Sequence, residues 1–393
     1  MRSLHIFLLL ILSVSLLLNS CSDEPSSIGI NLVGSDYITV KTLDSVTDSI
    51  AQSSSYFKNV IPLGTSEWIL IGKYQNTTTS TLMKFVFSLP DSLKTDVLED
   101  NLNVTSSWIV LRYRYTYGDT LASMMFNVHK VNSPWSYSSF TIDSLSKLQY
   151  DYNNVSSNFS INDTSYTFDI NNSLPLAWMK NAADNTLESN FGIYLAPFAY
   201  SNKVVGFQAL TAFSTQAAKL YVVIEKQGAY VDTINGYIAA DISLVDSPLP
   251  NLPSGLMCVQ SGVAVYSKLK FNIDSLPPGL VINKAELFIT ADSINSIVGS
   301  SYNNSLKLYY LQYADSLNTQ GSSISLLYSD NVYSGDITTF VRTWYNRKEN
   351  FGMLIQTGNQ TLGLDLLAMK GSDYSEFSER PRIKIIYTQQ QNK

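Results

Sequence analysis

Apolar and polar residues alternate in short runs along most of this chain, and turn-forming residues separate the runs. The clearest runs are Trp68 to Gly72, Leu82 to Phe87, Trp108 to Tyr115 and Leu220 to Glu225, then Ala285 to Thr290, Leu306 to Gln312, Met353 to Gln356 and Arg382 to Tyr387. A period of two sends successive side chains to opposite faces, so each run predicts a strand with one buried face. Asn235-Gly236 lies between Val231-Asp-Thr-Ile and Tyr237-Ile-Ala-Ala. Both residues tolerate positive φ, and the pair predicts a two-residue hairpin turn. Helical periodicity is rare. Many evenly spaced strands without intervening helices predict an all-β fold of antiparallel sandwiches or barrels.

Two segments depart from this period. Ile337, Phe340, Val341 and Trp344 fall at i, i+3, i+4 and i+7, the spacing of one helix face. Asp336 is placed to cap that helix, and Arg342, Arg347 and Lys348 fall toward its end, where the macrodipole favours cations. An earlier segment has the same plan, with Ser173 as cap, Pro175 at an early position and Leu174 and Trp178 on one face. Each helix is expected to plug the end of a β-sandwich with its Trp in the core.

The pattern also repeats at long range. Leu82-Met-Lys-Phe-Val-Phe-Ser-Leu-Pro90 corresponds to Lys268-Leu-Lys-Phe-Asn-Ile-Asp-Ser-Leu-Pro277. Trp108-Ile-Val-Leu corresponds to Ala285-Glu-Leu-Phe, and Met125-Phe-Asn-Val-His-Lys-Val to Leu306-Lys-Leu-Tyr-Tyr-Leu. Phe168-Asp-Ile, Trp178 and Asn190-Phe-Gly then match Asp336-Ile, Trp344 and Asn350-Phe-Gly. The closing strands are Ala218-Lys-Leu-Tyr-Val-Val-Ile and Pro381-Arg-Ile-Lys-Ile-Ile-Tyr. Blocks recurring in one order predict two homologous tandem domains, residues 36–226 and 227–393.

The front of the chain has a different character. Arg2 precedes an apolar run from Ile6 to Leu18, and Leu18-Asn19-Ser20-Cys21 resembles a lipobox. The run is short for a membrane span and suits a cleaved export signal, residues 1–20. Cleavage would leave Cys21 as the lipidated first residue. Residues 21–35, with Ser22-Asp-Glu-Pro-Ser-Ser, read as a flexible tether and resemble the acidic export tags of Bacteroidota surface lipoproteins. The expected location is the outer membrane, exposed at the surface and held by the N-terminal lipid alone.

Composition narrows the function. At 45% hydrophobic residues the chain can fill real cores, and 25 tyrosines suit β-structure. A formal net charge of −6 and no basic stripe argue against nucleic acid as a partner. The chain has two cysteines; if Cys21 carries lipid, Cys258 has no disulfide partner, and its apolar surroundings predict an inert buried thiol. His129 is the one histidine outside the export signal and lies within a strand, which leaves neither a Ser-His-Asp triad nor an ordinary zinc site. No phosphate-binding glycine loop is present. Asp373, Glu376 and Glu379 cluster near the C-terminus and read as a solvated acidic loop rather than a glycosidase pair. No cofactor is expected; loop Asp and Asn residues leave a structural calcium open.

The order of the repeated blocks resembles DNRLRE-type domains, jelly-roll modules related to carbohydrate-binding modules. The resemblance rests on Ala285-Glu-Leu, Asp336-Ile-Thr with Trp344, Asn350-Phe-Gly and Glu379-Arg-Pro-Arg-Ile in the second half. The first half lacks the Arg-Pro, and the namesake string is absent. It implies two jelly-roll-like β-sandwiches. Some members resemble polysaccharide binders and others structural surface modules.

Candidate ligand-binding residues follow from sugar chemistry, since aromatic rings stack on sugar C–H faces and Arg pairs with carboxylates. Trp135 and Tyr137 lie in the turn-like segment Pro134-Trp-Ser-Tyr-Ser-Ser-Phe140. Arg112 and Arg114 alternate with Tyr113, Tyr115 and Tyr117 along one strand, an Arg pair on one face and a Tyr row on the other. Each of these also fits a plain core or framework role, and Trp135 matches a framework Trp of the family. The expected function is non-catalytic binding of a polysaccharide or glycan. The alternative is a structural or adhesive module with a surface protein, or itself, as partner.

Overall fold

The computed structural model describes residues 38–390 apart from 212–214, 315–316 and 318. The expected signal, the lipid site Cys21 and the tether at 21–35 lie outside the described residues. The chain begins with β1 (Ile38–Asp44) and β2 (Gln52–Lys58). It continues through β3 (Trp68–Tyr74), β4 (Thr77–Val86), α1 (Asp91–Leu98), β5 (Asn103–Gly118), β6 (Phe126–Lys130), β7 (Ser156–Ile161) and β8 (Ser165–Ile170). Then come α2 (Ser173–Ala183), β9 (Ile193–Pro197), β10 (Lys203–Gln208), β11 (Lys219–Lys226) and β12 (Tyr230–Asp246). The second half holds β13 (Leu256–Gln260), β14 (Val265–Phe271), β15 (Val281–Ile297), β16 (Ser305–Leu311), β17 (Thr319–Ser329) and β18 (Val332–Asp336). It ends with α3 (Thr338–Arg347), β19 (Met353–Thr357), β20 (Leu366–Lys370) and β21 (Arg382–Gln390).

The described structure is mostly β, and every strand pairing is antiparallel. A first sheet runs β10-β3-β4-β12-β11-β5-β8-β7, with β9 and β6 added beside β4. A second runs β1-β21-β15-β18-β17-β16-β19-β14-β13-β20, with β2 added beside β14. Because β20 also pairs with β15, eight strands of this second sheet form a closed, barrel-like ring. Closure satisfies backbone groups that an open sheet would leave at two edges.

Strand pairing crosses the expected division between residues 226 and 227. In the first half β12 runs along β11 and then along β4. In the second half the same two positions are filled by the N-terminal segment, β1 along β21 and β2 along β14. Side-chain alternation within β1 and β2 carries no information about which edge each joins. Asp44 fixes the junction, since its carboxylate accepts from Arg382 Nε at 2.9 and 3.1 Å. That guanidinium holds the Asp44 carboxyl below the usual range despite partial burial.

The expected Asn235-Gly236 hairpin is not a turn. Asn235 and Gly236 lie inside β12, opposite Tyr221 and Leu220 of β11. The reversal comes earlier, where Lys226 pairs with Tyr230 and Gly228 takes a φ of +72°. Gly236 serves a different need: a Cβ there would come within 2.9 Å of the Leu220 side chain.

Each half has its own core. Ile69, Phe85, Ile109, Phe168, Trp178 and Phe207 are central to the first, and Phe271, Leu287, Leu308, Trp344, Met353 and Ile385 to the second. Trp178 and Trp344 are both buried, as helix periodicity predicts. The caps sit slightly off their expected places. Asp336 Oδ1 accepts from the Thr338 N–H at 2.8 Å, whereas Ser173 is the first helical residue and Asn171 Oδ1 accepts its N–H at 3.0 Å.

The two halves share one internal lock. The Asn190 side-chain amide donates to the Phe85 carbonyl at 2.6 Å and its oxygen accepts from Gly192 N–H at 2.9 Å. Asn350 does the same to Phe271 at 2.7 Å and Gly352 at 2.9 Å. Gly192 and Gly352 have φ of +80° and +82°, and a Cβ would strike the carbonyl oxygens of Met83 and Leu269. These partners occupy corresponding places in the repeated blocks, so the sequence repeat is also a repeat of geometry.

Candidate functional site

Strand β5 carries the expected Arg and Tyr residues, and a bulge decides where they point. Gly206 of β10 pairs with Tyr115 but Phe207 pairs with Tyr113, which makes Arg114 the extra residue. An inserted residue reverses the two faces of a strand. Before the bulge Ile109 and Leu111 face the first core; after it Tyr115 and Tyr117 face away from that core, toward the second half.

Tyr115 is therefore a correction to the expected ligand set. It is fully buried and stacks on Trp68 with ring centroids 4.7 Å apart. Its hydroxyl donates to Asp365 Oδ1 at 3.2 Å and accepts from Leu364 N–H at 3.0 Å. Burial first, then the Asp365 charge, hold its phenol well above the ordinary range. Gly299 leaves room for its ring, since a Cβ there would come within 2.1 Å of it. Around Tyr115, Leu70, Val204 and Val245 meet Cys258, Val263 and Leu364 in a shared apolar seam between the halves. Cys258 is buried there, which pushes its thiol up to about 12 and keeps it protonated and inert at neutral pH.

Arg112 and Arg114 remain exposed and line a groove of about 530 Å³ with Lys219, Tyr221, Gln216 and Asp163. Arg114 donates through Nε to Gln208 Oε1 at 3.0 Å and also bonds Gln216. Register explains the rest of the surface. Trp108 lies opposite Tyr221, and Val110 opposite Lys219, while Tyr237 on β12 lies beside Lys219. The Trp108 and Tyr221 rings stack at 5.3 Å and 13°, and Tyr237 is more than half exposed. On the other side of β5, Asp169 and Thr167 face Trp108 and Val110. The result is a strip in which the stacked Trp108–Tyr221 pair adjoins Lys219 and Tyr237 in the next row, with Arg112 and Arg114 following along β5.

The other expected residues lie elsewhere. Trp135 is partly buried over Val131, Leu148 and Tyr194, and its Nε1 donates to the Phe191 carbonyl at 2.8 Å, so it acts as framework. Tyr137 is exposed and lines a separate cavity of about 370 Å³ with Thr65, Leu210 and Asp241. Asp241 is buried, and desolvation pushes its carboxyl up to about 7, against the pull of the Leu210 N–H that it accepts at 2.7 Å. The structure thus unites Arg112 and Arg114, and separates them from Tyr115, Trp135 and Tyr137.

Sequence reasoning missed Trp108, Lys219, Tyr221 and Tyr237. The even-numbered positions Trp108, Val110 and Arg112 did signal one shared face of β5. The partners from β11 and β12 had no such signal, because register across strands far apart in sequence is set by the whole sheet.

The groove has the chemistry of anion recognition. Two guanidiniums and an ammonium can meet a carboxylate, and the adjacent rings can take an apolar sugar face. Asp163 is the one carboxylate among the groove's described lining residues. His129 is buried between Tyr150 and Tyr194, at 5.3 and 6.2 Å ring separation. Among the described residues no cluster of three His, Cys, Asp or Glu side chains gathers for a metal, and no helix is long and apolar enough to cross a membrane. The chain matches no family model, no curated protein and no solved structure.

Proposed function

We propose that this chain is a non-catalytic cell-surface lipoprotein that binds an acidic polysaccharide on the outer face of its first half. The observation that carries this reading is the groove in which Arg112, Arg114 and Lys219 stand together beside the stacked Trp108–Tyr221 pair. Cations and rings along the strip suit a uronate-containing chain, whose carboxylates and C–H faces alternate. The jelly-roll resemblance agrees with this reading, and the lipobox at Cys21 would hold the protein in the outer membrane by its N-terminal lipid. An adhesive or structural role is the second reading. It is favoured by end strands β1 and β7, where Val40 and Ile161 are 64% and 48% exposed and strand pairing with a partner is open.

The test is a glycan-array and polysaccharide pull-down screen on the chain from Ser22 onward, with alginate, polygalacturonate and neutral dextran as probes. Saturable binding of an acidic polymer is expected, falling with salt and weakened about fivefold to tenfold by Arg112→Ala or Trp108→Ala. Trp135→Ala is expected to lower stability while leaving affinity in place. Absence of acidic-glycan binding by a folded sample would overturn this reading and put the adhesive module first.

A further inference from the structure

We propose a second ligand site in the seam between the two halves, built to take the end of a neutral saccharide. A cavity of about 560 Å³ opens there, within the size range of roughly 300–1,000 Å³ common to small-molecule sites. One wall comes from the β3–β4 turn at Gln75 and Asn76, another from β13 and β15 through Gln260, Asn295 and Ile297. The third is the connecting segment 247–252, which contains Pro248 and Pro250.

That third wall is held in place before any ligand arrives. Lys58 Nζ donates to the Ser247 carbonyl at 2.7 Å, and Tyr56 Oη donates to the Pro250 carbonyl at 3.0 Å. Thr77 Oγ1 and Ser247 Oγ are hydrogen-bonded at 2.9 Å. A wall fixed in this way loses little freedom on binding.

Gln260 points to a ligand. It is 3% exposed and lines the cavity. Its Nε2 donates to the Leu364 carbonyl at 3.1 Å and the amide also meets the Tyr117 hydroxyl, which lines the same cavity, while its Oε1 has no hydrogen-bond partner among the described residues. A buried acceptor without a partner carries a desolvation cost, and an incoming hydroxyl would remove it.

The lining names the chemical class. None of the lining side chains carries a charge, and the Lys58 ammonium behind the wall is taken up by the Ser247 carbonyl, so a carboxylate or phosphate would find no counter-ion in the lining and would enter at a high desolvation cost. Five lining residues are amides: Gln75, Asn76, Asn251, Gln260 and Asn295. An amide presents a donor and an acceptor side by side, which matches a pair of vicinal hydroxyls. Ile294, 91% exposed, and the half-buried Ile297 supply apolar surface for the C–H face of a ring. The site is distinct from the outer-face groove and does not depend on it.

The experiment is saturation-transfer NMR and titration calorimetry on the chain from Ser22 onward, with maltose, cellobiose and lactose as neutral probes and digalacturonate as the acidic one. At least one neutral disaccharide is expected to bind wild type and Arg112→Ala equally. Its affinity is expected to fall about tenfold or more in Gln260→Leu, which removes the acceptor, and in Ile294→Trp, which crowds the mouth. Ile294 is so exposed that its replacement leaves the fold intact, so it carries the test if Gln260→Leu fails to fold. No neutral binding by folded wild type, binding unchanged in both seam variants, or binding lost in Arg112→Ala would each overturn the proposal. Binding of digalacturonate alone, sensitive to Arg112, would overturn the seam site and leave the outer-face reading standing.

Discussion

The Tyr115 hydroxyl reaches across 250 residues of sequence to donate to Asp365 Oδ1, tying the first half of the chain to the second. The same oxygen accepts the Leu364 N–H, so one phenol satisfies two buried polar groups of the other half. Tyr115→Phe keeps the ring against Trp68 and removes both bonds. The expected cost is about 1–3 kcal/mol, the range for stranding a buried polar group, here the Leu364 N–H, while Asp365 Oδ1 keeps the Gly299 N–H at 2.8 Å. Urea unfolding would measure it, and glycan affinity at the outer face is expected to stay unchanged.

Asp241 makes stability depend on pH. Its folded-state carboxyl is pushed up to about 7, whereas an unfolded Asp titrates near 3.9. Its stabilising contribution is full below about pH 4, where both states hold the proton. Between about pH 4 and 7 the unfolded state gives up its proton first, so stability falls as pH rises, and above about 7 the loss is complete. Asp241→Asn is expected to remove this dependence and to gain stability, on the order of a few kcal/mol, at pH 8 relative to wild type. Urea midpoints at pH 5 and pH 8 for both proteins would show it; an equal pH response in the two would refute it.

The paired asparagine locks are expected to matter alike. Asn190→Ala strands the Phe85 carbonyl and the Gly192 N–H, and Asn350→Ala strands those of Phe271 and Gly352. Each substitution is expected to destabilise by about 1–3 kcal/mol. Thermal and urea unfolding of the single and double variants would compare the two losses. A clear cost at one site and none at the other would break the equivalence of the repeats.

Residues 38–58 are expected to be indispensable to the second half. Their removal uncovers the edges of β21 and β14 and leaves Arg382 without Asp44. Newly bared strand edges pair with other chains. Size-exclusion chromatography should show a chain beginning at Asn59 eluting as larger oligomers or aggregates than the intact chain, and a peptide of residues 38–58 added in trans should restore the elution of the intact chain. A stable, folded chain without the segment, eluting like the intact one, would show that β1 and β2 merely decorate the sheet.

Much of the local structure was legible because period and spacing are properties of the chain itself. The strands at Trp68, Trp108, Leu220 and Arg382, the helix faces holding Trp178 and Trp344, and the repeated Asn-Phe-Gly all follow from side-chain alternation and spacing. Asn235-Gly236 misled because the same dipeptide that permits a turn also permits close packing, and Leu220 occupies the space a Cβ would need.

The sequence by itself determined an all-β chain whose strand blocks recur in its two halves, and an alternating β5 strand. Only the tertiary structure decided that β1 and β2 complete the far half, that the bulge at Arg114 buries Tyr115, and that Lys219 and Tyr221 join Arg112 on one face. The physical reason is that alternation fixes two faces for each strand, whereas register, bulges and edge partners are settled by the packing of the whole sheet.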